Sequence, residues 1–384
     1  MDTPFIYNRP VTGRYFVGRR TERHALGNLL EAGENVVLYE TPKTGISSLL
    51  QQVFSNMKAS SGQFAVATVS LMSVRTVEDF CLRLCSAIIK SCAPTPSDCA
   101  SLVSSCLPST HFVPAGQGQG QEECVVSLDG YADDADIRAA ATLPYRVSAC
   151  CGRRVFVCLD DFHSVMLTGE GERICGIMQE AFISRSPEDR ASACYIFCGS
   201  AYNAMKEIFS RRCLFHRQVE HLALGEIDAR EIVDSINRGF LTSGKVMDRD
   251  LMLGVCKLLK NNIFYVNAFV SLCDSLSKGY MTESVMSEAL SDLLALHESR
   301  FKAVMADLTT FQVNLLKALL DGHSKFSSAA LIRRYGLNSS ANVRRLKDAL
   351  CKKEIITFDE GDVPRMLDPL FEYWLRKFYF GERQ

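Results

Sequence analysis

Asn35–Leu50 reads NVVLYETPKTGISSLL, and the fold of the chain turns on this stretch. Asn35–Tyr39 is a short continuous apolar run, the pattern of a strand buried on both faces. Glu40–Ser48 is turn-rich, and the spacing predicts a helix from Ser47 to about Met57. Strand, loop and helix in that order can cradle phosphate. Glycines let backbone N–H groups face the β-phosphate, a lysine bridges β and γ oxygens, and a Ser or Thr hydroxyl holds magnesium. Against GxxxxGK(S/T), Gly45 and Ser47 keep their places, but Glu40 stands at the first glycine and Ile46 at the lysine.

Outward from this stretch, Arg20–Ala32 has helical spacing through Ala25, Leu26, Leu29 and Leu30, Gln63–Leu71 alternates as a strand, and Val77–Ser91 returns to helical spacing. Arg154–Asp161 and Ala193–Ser200 are further buried strands, with a helix around Glu172–Ile183 between them. Such alternation predicts an α/β core with parallel strands and crossover helices, whose ligands bind at the carboxyl ends of the strands. Cys92–Asp136 changes character: it carries Pro94, Pro96, Pro108, Pro114 and the GQGQGQ tract Gly116–Gln121, and is expected to be a loop or insertion. Beyond Asp228 the pattern is helical over Ala229–Phe240, Asp248–Lys260, Phe264–Ser277 and Thr282–Val304. The last segment predicts helices at Gln312–Asp321, Ser327–Tyr335 and Ser340–Lys352. A strand at Glu354–Phe358, a turn at Asp359–Asp362 and a return strand near Met366 complete a winged helix. The expected domains are a P-loop NTPase-like α/β core over 1–225 with the insertion at 92–136, a helical lid over 226–306 and a winged helix over 307–384.

The 384 residues are 47% hydrophobic and 23% charged, which suits globular domains, and the formal net charge of -1 supplies no whole-protein field for DNA or an anionic membrane. Met1–Arg14 lacks the apolar region of a signal peptide, and no apolar run approaches the roughly 18–20 residues that span a bilayer. A cytoplasmic chain without membrane contact is expected. Sixteen cysteines contain no CxxC pair, and most lie in apolar segments such as those of Cys81, Cys158, Cys194 and Cys256. Reduced core thiols are expected, with zinc the weaker alternative.

Three stretches carry a resemblance: Phe16–Glu22 (FVGRRTE), Tyr39–Leu50 (YETPKTGISSLL) and Asp368–Arg376 (DPLFEYWLR). In this order they resemble the archaeal-type ATPases of the STAND branch of AAA+ proteins, over the whole chain. The resemblance implies ATP or ADP with Mg2+, and Gly18 and Arg19 in the opening signature. It places phosphates at Lys43, Thr44, Gly45, Ser47 and Ser48, and magnesium on Ser47 and Asp160. Asp161 stands where a catalytic glutamate acts, Ser200 at the polar sensor position, and Arg217 is the candidate arginine near the phosphates. Strand-end acids capping the next helix are the plainer reading of Asp160 and Asp161, and His163 reads as a solvated loop residue. A turn that packs by the nucleotide falls on Asn261–Tyr265, without the usual glycine and proline.

Three departures, at Ile46, Asp161 and Ile263, lie where such proteins touch nucleotide or water. One contact from a charged donor contributes about 1.5–3 kcal/mol, so losing the lysine should weaken triphosphate binding roughly 10- to 100-fold. Glu40 adds repulsion. Lys43 reads either as an ordinary loop cation or as a replacement for the lysine. The expectation is a degenerate ATPase-like regulator or scaffold with a protein partner or self-association. The rivals are a working ATPase and a DNA-binding regulator that uses Arg344, Arg345 and Lys347.

Overall fold

The computed structural model describes residues 4–115 and 125–381, so the Gly116–Gln121 tract lies outside the described residues. The chain forms two compact units. One gathers Arg20–Glu40 and Gln52–Leu224; the other gathers Met1–Arg19, Thr41–Gln51 and Gly225–Gln384.

The first unit begins with α1 (Arg20–Glu31) and β1 (Val36–Tyr39), takes in most of α2 (Ile46–Ser61), and continues through β2 (Phe64–Ser70), α3 (Val77–Cys92) and α4 (Pro96–Cys106). Then come β3 (Phe112–Pro114), β4 (Val126–Leu128), α5 (Asp134–Cys151), β5 (Arg154–Asp160), α6 (Gly171–Ile183), α7 (Pro187–Ser192), β6 (Ala193–Gly199), α8 (Tyr202–Lys206) and β7 (Glu220–His221). The main sheet runs β2-β5-β6-β1-β7, all parallel, with Val36 opposite Ile196 on one side and Glu220 on the other. The parallel α/β core expected from the apolar runs is present. Phe162, Phe182, Tyr195, Phe197 and Phe215 pack as one aromatic cluster, with Phe197–Phe215 centroids 5.2 Å apart. On the other face Phe156 meets Phe54 and Phe64.

Cys92–Asp136 is not plain loop: it holds α4, the antiparallel β3–β4 pair and the start of α5. Pro96 lies in the first helical turn, where a missing N–H costs nothing, and Thr95 caps the helix by accepting the Asp98 N–H at 3.2 Å. Residues that signal a break here start an element.

His111 and Asp136 pin β3 to α5. The fully buried Asp136 carboxylate accepts the His111 N–H (3.0 Å), the His111 ring Nδ1–H (2.8 Å) and the Asp133 N–H (3.0 Å). Burial alone would raise its pKa, but these donors outweigh it and hold the carboxyl below its ordinary value. In return Asp136 raises the His111 pKa, with Asp133 and Asp129 adding to it. A raised histidine contributes stability below its unfolded value of 6.5, lost as pH climbs through the folded pKa; a depressed carboxyl contributes above 3.8, lost as pH falls through its own. The pair therefore holds best between those values. Raising pH from about 5.5 to about 8 should lower the urea midpoint more in the wild type than in His111→Ala. Equal shifts in both would show that the pair contributes nothing.

The second unit contains α9 (Ala229–Thr242), α10 (Arg249–Leu258), α11 (Ile263–Leu276) and α12 (Glu283–Ala306), then α13 (Thr310–Leu320), α14 (Ala329–Tyr335), α15 (Ser340–Lys352), β8 (Ile356–Asp359), β9 (Val363–Met366) and α16 (Pro369–Trp374). Asp228, Asp248, Asn262 and Thr282 cap the first four helices through side-chain oxygens. β8 and β9 pair antiparallel, Ile356 against Met366, as the wing of the expected winged helix. One apolar core runs through all of these helices. Phe301 of α12 meets Phe371 and Trp374 of α16 at centroid distances of 5.2 and 5.6 Å.

Candidate nucleotide-binding elements

The phosphate-loop segment Thr41–Gln51 belongs to the second unit. Lys43 (φ 71°) and Gly45 (φ 93°) bend the backbone through the left-handed region, and Thr44 Oγ1 donates to Thr41 O at 3.0 Å. Ile46 is the first residue of α2, directly after Gly45, and is partly exposed. Ser47 is exposed beside it, and Ser48 Oγ accepts the Val11 N–H at 3.1 Å.

Of the opening signature residues, Gly18 packs on the Ile227 region and Arg19 reaches the loop. Gly18 (φ 68°) has Ile227 Cγ2 2.6 Å from where a Cβ would stand, so only glycine fits. The buried Arg19 donates from Nη1 to Gly225 O (2.9 Å) and from Nη2 to Thr44 O (3.1 Å). Its guanidinium thus ties the loop backbone to the start of the second unit's helical region.

Lys43 points its ammonium onto aromatic faces, 4.0 Å from the Phe264 centroid and 5.1 Å from that of Tyr265. Desolvation there, then the nearby Arg300, lower its pKa, with Asp368 opposing. Tyr265 OH donates to Asp368 Oδ2 (2.9 Å), which also accepts Arg300 Nη2 (2.7 Å), while Asp368 Oδ1 caps α16 through the Leu370 and Phe371 N–H groups. The Asn261–Tyr265 turn works without glycine because Lys260 (φ 49°) and Asn261 (φ 52°) take left-handed conformations and Asn262 caps α11. Phe264 and Tyr265 were not legible as partners of Lys43. The sequence signal was their place in the Asn261–Tyr265 turn, which the resemblance sets beside the nucleotide.

In the other unit, β5 and β6 are neighbours, and their carboxyl ends bring Asp160, Asp161 and Ser200 together. Ser200 Oγ donates to Asp161 Oδ1 at 3.2 Å, and the Asp161 N–H donates to Asp160 Oδ1 at 3.1 Å. Asp161 adopts φ 53°, a left-handed geometry in which aspartate is among the enriched non-glycine residues. Partial desolvation first, then the Asp161 charge, raises the pKa of the exposed Asp160. Asp161 does not cap the following turn with its side chain. His163 is half-buried in a 3-10 turn over Phe162–Thr168 rather than solvated, and burial lowers its pKa. Arg217 (φ 59°) is exposed on the segment before β7. A cavity of about 610 Å³ beside His163 is lined by Glu170, Glu172, Arg173, Glu207 and Arg212, whose charges already pair with one another.

Residues 299–377 match a family model described as "Probable winged helix domain". No curated protein sequence matches the chain. Among solved structures, the Walker-type ATPase of Pyrococcus abyssi superposes with a TM-score of 0.65 at 15% identity, covering 97% of this chain and 100% of that one. The ORC2 protein of Aeropyrum pernix, in its ADPNP-ADP complexes, gives 0.57 at 13% identity over 96% and 93%. Among the described residues, no helix is long and apolar enough to cross a membrane. The chain has a P-loop NTPase fold of the AAA+ type and a winged-helix domain over residues 299–377.

Proposed function

We propose that this chain is a nucleotide-sensing or purely structural relative of such ATPases, a regulator or scaffold that hydrolyses ATP slowly or not at all. The observation that carries the reading is the pairing of Ile46 at the start of α2 with a Lys43 ammonium committed to the Phe264 and Tyr265 rings. A butyl side chain cannot neutralise phosphate oxygens. Moving Lys43 to them would forfeit a cation–π contact of about 0.5–1 kcal/mol at an exposed site. Ser47 keeps a hydroxyl and Asp160 a carboxylate, the two ligand types magnesium takes in such proteins, so weak ATP or ADP binding stays within the chemistry of the chain. Gly18, Arg19, Thr44, Gly45 and Ser48 would shape the loop, with Ser200 and Arg217 the remaining polar candidates and Asp161 the residue in the catalytic position. Binding of Mg-ATP, titrated by calorimetry, should be weak and unchanged in Lys43→Met. A wild type that binds at micromolar affinity, and loses that affinity in Lys43→Met, would sink the proposal.

One observation favours DNA as a second reading. Arg344 and Arg345 lie exposed on α15 and, among the described residues, enter no ion pair, whereas Lys347 is bonded to Asp362 and lies over Phe358. Two phosphate contacts predict a salt slope of about −1.8 in log K against log salt for duplex DNA. Anisotropy titrations should lose that slope in Arg344→Glu, Arg345→Glu; a wild type without salt-dependent binding to the duplex would dismiss DNA and leave a protein partner or self-association.

A further inference from the structure

Two thiol pairs converge on the C-terminal end of α5, where Cys150 and Cys151 are adjacent. Cys150 Sγ lies 3.5 Å from Cys106 Sγ at the last residue of α4, and Cys92, the last residue of α3, acts after burial to raise the Cys151 pKa. Cys150 is exposed while Cys106 is buried, 1% accessible. Arg146 Nη1 donates to Cys106 O at 3.0 Å, so the end of α4 is already held against α5. A disulfide needs an S–S separation of about 2.05 Å. Closing the Cys106–Cys150 gap asks for side-chain rotation at a surface position.

We propose that Cys106 and Cys150 form a dithiol site that reacts with hydroperoxides and closes to a disulfide joining α4 to α5. The exposed Cys150 sulfur, as thiolate, attacks one peroxide oxygen; the O–O bond breaks, the other oxygen leaves with a proton as water, and Cys150 becomes a sulfenic acid. The Cys106 sulfur then attacks the Cys150 sulfur; the S–S bond forms, the S–O bond breaks, and the hydroxyl leaves as water with the Cys106 proton. Two thiols are oxidised by two electrons in total, and one hydrogen peroxide is reduced to two waters. Burial first of all pushes the Cys106 thiol up to about 11, so the attacking role falls to exposed Cys150 and the resolving role to Cys106. The site is independent of the nucleotide reading and survives its failure.

The test uses the full chain, treated with hydrogen peroxide, blocked with N-ethylmaleimide and mapped by mass spectrometry without reduction. A Cys106–Cys150 linked peptide that persists in Cys151→Ser and disappears with dithiothreitol is the expected result. In Cys106→Ser, dimedone labelling of Cys150 should rise severalfold because the sulfenic acid is no longer resolved. Should that variant fail to fold, exposed Cys150→Ser decides the matter: Cys106 must stay a free thiol at the same peroxide dose. No linked peptide, a Cys150–Cys151 bond, or a link between two copies of the chain overturns the proposal. So does Cys150 oxidation no faster than that of exposed Cys213.

Discussion

Replacing Asn35 with alanine is expected to lower the unfolding free energy of the sheet-bearing unit by about 3–4 kcal/mol, read as a shift in the urea midpoint. Its side chain is fully buried just before β1 and joins three separate stretches of chain. Nδ2 donates to Gln218 O at 3.2 Å; Oδ1 accepts the Tyr195 N–H at 2.9 Å and Arg185 Nη1 at 3.2 Å. Alanine would leave a strand amide, a carbonyl and a buried guanidinium each short of a partner, at about 1–3 kcal/mol apiece. The terms do not add fully, because Arg185 keeps Phe182 O at 3.3 Å and Gly33 O at 3.5 Å, and water can enter the space. Asn35→Asp keeps both acceptor contacts but replaces the donor to Gln218 with a buried carboxylate oxygen facing that carbonyl, so it should be no gentler than alanine. A loss below about 1 kcal/mol in Asn35→Ala would mean that the knot is dispensable.

The buried strands were legible because strands covered on both faces need unbroken apolar runs, as Val155–Leu159 and Ala193–Cys198 show. β7 was not. Glu220–His221 is short, polar and exposed, and is a strand only because Asn35 O accepts the Glu220 N–H (2.8 Å) and Val37 O that of Leu222 (3.1 Å). The same limit governs the candidate site. Gly45 and Ser47 could be found from local spacing, because backbone conformation and helix start are local properties. The destination of Lys43 could not, since its aromatic partners lie on α11, far along the chain. Arg19 shows a third case: its signature marked it out, but only the fold reveals that it grips the carbonyls of Thr44 and Gly225.

Restoring the lysine in Ile46→Lys is expected to tighten Mg-ATP binding about 10- to 100-fold, the reverse of the 1.5–3 kcal/mol that one charged donor contributes. The position tolerates it. Ile46 is partly exposed, so no cavity opens, and a cation in the first turn of α2 costs only about 0.3–1 kcal/mol when no anion is bound. The cost is smaller than the gain, and it vanishes once phosphate arrives. Calorimetry of wild type beside Ile46→Lys decides: equal micromolar affinities would mean that position 46 does not limit binding. Turnover should not return with affinity. Aspartate at 161 is one methylene shorter than the glutamate that acts there in the family the chain resembles, so its carboxylate reaches less far toward an attacking water. A variant that both binds and hydrolyses would therefore localise the whole defect to one side chain, whereas binding without hydrolysis places a second block at Asp161.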